Sequence, residues 1–249
     1  MTPFSWHDAY YSELQNLYSL LVVPIAFLAW RLAVPSDPAR GVVPRAAPLV
    51  AGATLLFAFE TMLDPIATGP LLRSEALRST LAATLVPFVF VYLGDLRVLF
   101  VALAVAEPGA PIRRLLGRAA AATAIVPIAT GVLYGGVRVL WPDAHGQWLW
   151  MIYEAGFLLL CVVAVRVGLP RAVAAGAEID PAARAFLGAL FGYSAAYYAL
   201  WLAADVLIVL AGLDLGWAIR MVPNQLYYAF WTPFVYARFF SGAPVNATR

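Results

Sequence analysis

Seven apolar runs follow one another along the chain, at about 13–34, 46–70, 78–106, 116–140, 148–169, 183–212 and 216–240. Each is long enough to cross the hydrocarbon of a bilayer, which takes a helix of about 20 residues. In a chain of 249 residues such runs leave only short connections, with no room for a folded extramembrane domain. The composition agrees: 63% of residues are hydrophobic and 12% charged, against the roughly 25% charged that is usual in soluble domains. The expected fold is therefore all-α, a polytopic membrane protein whose single domain, 1–249, is a bundle of seven transmembrane helices.

Charge placement predicts the orientation. With the N-terminus outside, the inner loops and tail hold Arg31, Arg40, Arg45, Arg113, Arg114, Arg118, Arg166, Arg171, Arg184, Arg238 and Arg249. The outer ends hold Arg73, Arg78, Arg138 and Arg220. Basic residues collect on the cytoplasmic side, so the chain reads N-out and C-in, which suits an odd number of crossings. A bacterial inner membrane is the expected location. Asn246-Ala-Thr248 matches a glycosylation pattern but falls in the inner tail and carries no weight. Residues 1–12 show neither a basic n-region nor a cleavage site, so no signal peptide is expected. Trp6, Tyr10 and Tyr11 read as interface anchors. Pro24, Pro87, Pro127 and Pro223 lie inside runs, where a proline frees a carbonyl and permits a bend.

Charges inside the runs point to function, because each is costly unless partnered or wetted. They are Glu60, Asp64, Asp95, Arg97, Glu154, Asp205 and Arg220. With a rise of about 1.5 Å per residue, five of them, Glu60, Asp64, Glu154, Asp205 and Arg220, are expected in the outer half. Glu60 and Asp64 are four apart and share a helical face. They read either as a proton- or cation-accepting pair or as headgroup-level carboxylates, hydrated or paired with Arg138 or Arg220. Asp95 and Arg97, two apart, need separate partners; Asp95 is expected to face the interior and Arg97 to snorkel toward the inner surface.

The last two runs carry matching stripes. Ser194, Tyr197 or Tyr198, Trp201 and Asp205 recur at helical spacing on one, and Arg220, Asn224, Tyr227 or Tyr228 and Trp231 on the other. The connection is short, so the two helices are antiparallel neighbours with Asp205 opposite Arg220. Beneath that pair an aromatic wall with the amides of Asn224 and Gln225 suits a flat or sugar-like ligand, although amides also bind helices together. The segment VPIA occurs at 23–26 and again at 126–129, each followed by a Glu and then an Asp on later runs, as an inverted three-plus-three repeat requires.

Every one of the sixteen basic residues is Arg. Without a lysine no Schiff base forms, so covalent retinal is excluded and any other cofactor is undefined. His7 and His145 supply no histidine cluster for metal or haem. The lone Cys161 cannot form an intrachain disulfide. The layout is similar, in topology alone, to that of microbial rhodopsins and G-protein-coupled receptors. The middle of the last run, PNQLYY, lacks a retinal lysine, and GDLR in the third run does not carry the receptor triplet.

The expected function is binding of a small molecule, ion or proton in a polar, aromatic-lined site within the bundle, as in a transporter or permease. Its candidate residues are Glu60, Asp64, Asp95, Glu154, Tyr198, Trp201, Asp205, Arg220, Asn224, Gln225 and Tyr228. The expected partners are the bilayer, that ligand and a protein at the inner loops, and not nucleic acid. A receptor-like sensor is one alternative. A structural subunit or a lipid-modifying enzyme using Asp95, Glu60 or Asp64 is another, although no nucleophile elbow or metal-ligand spacing supports the enzyme.

Overall fold

Apolar runs of this kind fold as helices because hydrocarbon offers no partner to a backbone N–H or C=O, and a helix pairs them within its own segment. The computed structural model describes residues 4–72, 74, 76–77, 79–174 and 179–241, and among them it is all-helical, with no strand. The α-helices are α1 (Trp6–Tyr11), α2 (Ser19–Ala33), α3 (Ala47–Ile66), α4 (Leu81–Ala106) and α5 (Ile112–Leu140). They continue with α6 (Gln147–Val163), α7 (Leu169–Ala174), α8 (Pro181–Val209), α9 (Leu215–Asn224) and α10 (Trp231–Phe240). Wider π-helical turns join several of them end to end, at Leu14–Tyr18, Ala67–Leu71, Ala164–Gly168 and Gln225–Phe230.

Six continuous helices are long and apolar enough to cross a membrane: Leu14–Ala33, Pro44–Leu71, Leu81–Ala106, Ile112–Leu140, Gln147–Ala174 and Pro181–Val209. The seventh run is helical too, but in three pieces, and Arg220, Asn224, Gln225 and Arg238 dilute its apolar character. Boundaries differ from the expected ones by a few residues. The fourth run begins at Ile112, not 116, because Pro111 stands at its N-cap. Arg73, Arg78, Arg249 and the Asn246-Ala-Thr248 pattern lie outside the described residues.

Neighbours in sequence pack as neighbours in space. The bundle runs α2, α3, α4, α5, α6, α8, α9, and closes where α10 and the Gln225–Phe230 turn return to α3 and α2. Two glycines allow the tightest approaches. A Cβ at Gly94 would overlap the Tyr227 hydroxyl, and one at Gly216 would stand 2.6 Å from the Ala204 carbonyl oxygen across the α8–α9 turn. Large apolar side chains face outward, among them Val22 and Ile25 on α2 and Ile125, Ile128 and Val132 on α5, the reverse of a water-soluble surface.

The packing divides the bundle into two layers. Toward the end away from α1, Val50, Leu190, Val235 and Phe239 are at or near complete burial, and the Phe186 and Phe239 rings meet edge to face at 5.3 Å. Cys161 is buried in this apolar core. Toward the α1 end the interior becomes polar and opens into a cavity.

Candidate functional site

The cavity has a volume of about 290 Å³ and is walled by α3, α4, α6, α8, α9 and the Gln225–Phe230 turn, with α1 across its end. Each wall contributes chemistry for a local reason. At the end of α3 the Ala67–Leu71 π turn, broken at Gly69 and carrying Pro70, which has no N–H for the backbone ladder, begins just as Asp64 and Thr68 reach the cavity. The Thr68 hydroxyl donates to Asp64 Oδ1 at 3.2 Å, while Asp64 Oδ2 has no hydrogen-bond partner although the residue is only 3% exposed.

On α4, Asp95 accepts from the hydroxyls of Tyr153 on α6 and Tyr198 on α8. Fully buried, it spends both oxygens on these two donors, which is how a carboxyl without a salt bridge is held inside a protein. On α6, Gln147, Trp150 and Glu154 recur at helical spacing, and all three reach the cavity. Glu154 Oε2 has no partner.

Arg220 on α9 is the cation of this layer. Its guanidinium bonds Asp205 on α8 and lies 3.4 Å from Glu154 Oε1. The Asp205–Arg220 pairing thus joins the two antiparallel helices, and the Gln147 amide adds a 3.4 Å contact to the same Asp205 oxygen. The aromatic wall is present as well. Trp201 Nε1 donates to Asn224 Oδ1 at 2.9 Å, and the Asn224 amide donates to the Tyr10 hydroxyl at 3.3 Å.

Eight of the eleven expected residues line this one cavity: Asp64, Asp95, Glu154, Tyr198, Trp201, Arg220, Asn224 and Tyr228. Three do not. Glu60 turns away to Arg97, 3.8 Å distant. Asp205 stands behind Arg220 as its counter-charge. Gln225 is drawn to the other side of its helix, where its amide donates to Ser19 Oγ on α2 at 2.8 Å. Arg138, offered as a partner for Glu60 and Asp64, is exposed and donates instead to the Ala144 carbonyl at 3.3 Å.

Two further expectations are corrected. Arg97 does not snorkel: it is completely buried, and its Nη2 donates to the Tyr227 carbonyl at 2.6 Å. That carbonyl belongs to the π turn, whose altered pairing offers an acceptor. Stacked 4.4 Å from the Tyr227 ring and 4.6 Å from that of Trp231, Arg97 finds its solvation within the bundle.

Tyr10 is not a surface anchor either. It is buried against Trp217 and lines the cavity. What carries it there is Asp214, in the turn between α8 and α9, whose carboxylate accepts from the backbone N–H of Trp6 at 2.6 Å and of His7 at 3.1 Å. This caps α1 from a distant part of the chain. The residues the sequence reading missed are Tyr10, Gln147, Trp150 and Tyr153. The last three had a signal in the QWLWMIYE stripe.

Chemically, the site is rich in acid and aromatic surface. Among the described residues, no group of three His, Cys, Asp or Glu side chains is placed to hold a metal ion. Set against known proteins, the chain matches no family model, no curated protein and no solved structure.

Proposed function

We propose that the chain is an integral membrane protein of seven crossings, N-out and C-in, in a bacterial inner membrane, and that it binds a small molecule or ion in the cavity as a transporter or permease. The seventh crossing is Leu215–Phe240, whose Arg220, Asn224 and Gln225 turn to partners within the bundle, with Arg238 exposed at its end. The observation that carries the binding reading is Asp64: a buried carboxylate with a free oxygen in a cavity walled by Trp201, Tyr228 and Asn224. Leaving such an oxygen unpaired is costly, and a ligand donor removes that cost. Transport is supported by the cavity's asymmetry. It lies toward the α1 end of the bundle, with the Arg97 cluster and the apolar core between it and the other end, as suits one state of an alternating-access cycle.

The test is flux. Protein reconstituted into liposomes, with a trapped pH-sensitive dye and a solid-supported membrane to read charge, is challenged with amines, amino acids, sugars and carboxylic acids in turn. At least one class is expected to drive protein-dependent charge or proton movement that Asp64→Asn abolishes in protein that still folds. Saturable binding without movement would replace transport with a sensor role.

A further inference from the structure

The balance of charge around the cavity says what kind of ligand it takes. Five carboxyls, Glu60, Asp64, Asp95, Glu154 and Asp205, are all buried in this half of the bundle; of the three buried cations among the described residues, Arg97 and Arg220 share it, while Arg31 lies at the other end against Tyr236. Both guanidiniums are committed, Arg97 to Glu60 and Arg220 to Asp205 and Glu154. An anionic ligand would find no free cation and would face carboxyl oxygens. We infer that the ligand is a small organic cation, an ammonium or guanidinium group on an aromatic or apolar body, with Asp64 as its counter-charge. This rests on the cavity being the binding site proposed above.

Three observations support that ligand class. Asp64 Oδ2 and Glu154 Oε2 are unpartnered on side chains each only 3% exposed, and both residues line the cavity. Those oxygens accept and do not donate when ionised, so a cationic N–H is their natural complement.

The second observation is the way the chain treats its own cations. Arg220 rests 5.8 Å from the Tyr10 ring between two carboxylates, and Arg97 sits over Tyr227 and Trp231. Asp64, Tyr228 and Trp201 line the cavity together, an acid and two rings with no salt bridge to the acid among the described residues. Aromatic faces attract cations most strongly when the cation is desolvated.

The third is size. At about 290 Å³ the cavity lies at the small end of ligand pockets. That volume suits a compact amine.

The experiment varies charge at constant shape. Wild-type protein in phosphatidylcholine nanodiscs is titrated by calorimetry with 2-phenylethylammonium, 2-phenylethanol and phenylacetate, with empty nanodiscs subtracted. The ammonium is expected to bind at least about tenfold tighter than the alcohol, and phenylacetate weakest. Asp64→Asn should erase most of that preference while leaving the melting temperature near that of the wild type. The wild-type series decides the matter even if the variant does not fold. An alcohol that binds as tightly as the ammonium, or a preference for phenylacetate, would overturn the cation assignment and leave the binding cavity standing. No binding of any probe at millimolar concentration would remove both.

Discussion

Arg97 and Arg220 are the same side chain used in opposite ways. Each is buried, each pairs with a carboxylate and each lies near an aromatic ring. Arg97 is wholly enclosed, holding α3 to the Gln225–Phe230 turn through Glu60 and the Tyr227 carbonyl. Arg220 stands at a cavity wall with one more carboxylate than it can neutralise. A guanidinium enclosed by one counter-charge, one carbonyl and two rings, with no adjoining space, ties helices together. One with excess acid beside open space is part of a binding surface. Depth of burial alone would not separate them, since both are under a tenth exposed.

The contrast is most exposed at Arg97. Arg97→Met leaves Glu60 as a buried carboxylate without a counter-charge, and about 3–5 kcal/mol of stability should be lost. The readout is thermal melting in detergent micelles, with Glu60→Gln added to Arg97→Met recovering much of the loss. A single variant that melts with the wild type would remove Arg97 from its role as a tie.

At the cavity wall the effect should be smaller and should lie in the coupling. Asp205→Asn and Arg220→Gln are each expected to destabilise, and the pair together to cost less than the sum, with an interaction of about 1–3 kcal/mol. Strictly additive losses would show that the two side chains do not depend on one another.

The smallest change is at the end of the bundle. Asp214→Ala removes the carboxylate that caps α1, so the amides of residues 6–11 should exchange hydrogen several-fold faster while the melting temperature holds. Unchanged exchange would mean that ring packing of Tyr10 and Tyr11 on Trp217 is sufficient to hold α1.

The helices were legible because a bilayer-length apolar run leaves the backbone almost no other way to pair. The Asp205–Arg220 contact was legible for a related reason, since a short turn fixes two helices antiparallel and places both residues at one level. What escaped was set by distant chain. The carbonyl that receives Arg97 lies 130 residues away in a π turn that no residue pattern in QLYYAF marks. Tyr10 is placed by a carboxylate more than 200 residues downstream. Glu60 and Asp64 share a face as their spacing requires, but the spacing could not say that one would meet a guanidinium and the other a cavity.

The Gln225–Phe230 turn also sets the angular phase of the final helix. A π turn holds roughly one residue more than the α-turn it replaces, so the segments on either side are offset by about 100°, the rotation per residue of an α-helix. Arg220 and Asn224 above it are aimed at the cavity, and Trp231, Val235 and Phe239 below it at the dry core. The turn thus behaves as a coupling that joins two shafts at a fixed angle. A deletion of one residue there would make the helix regular, yet it would turn one of the two stripes out toward lipid.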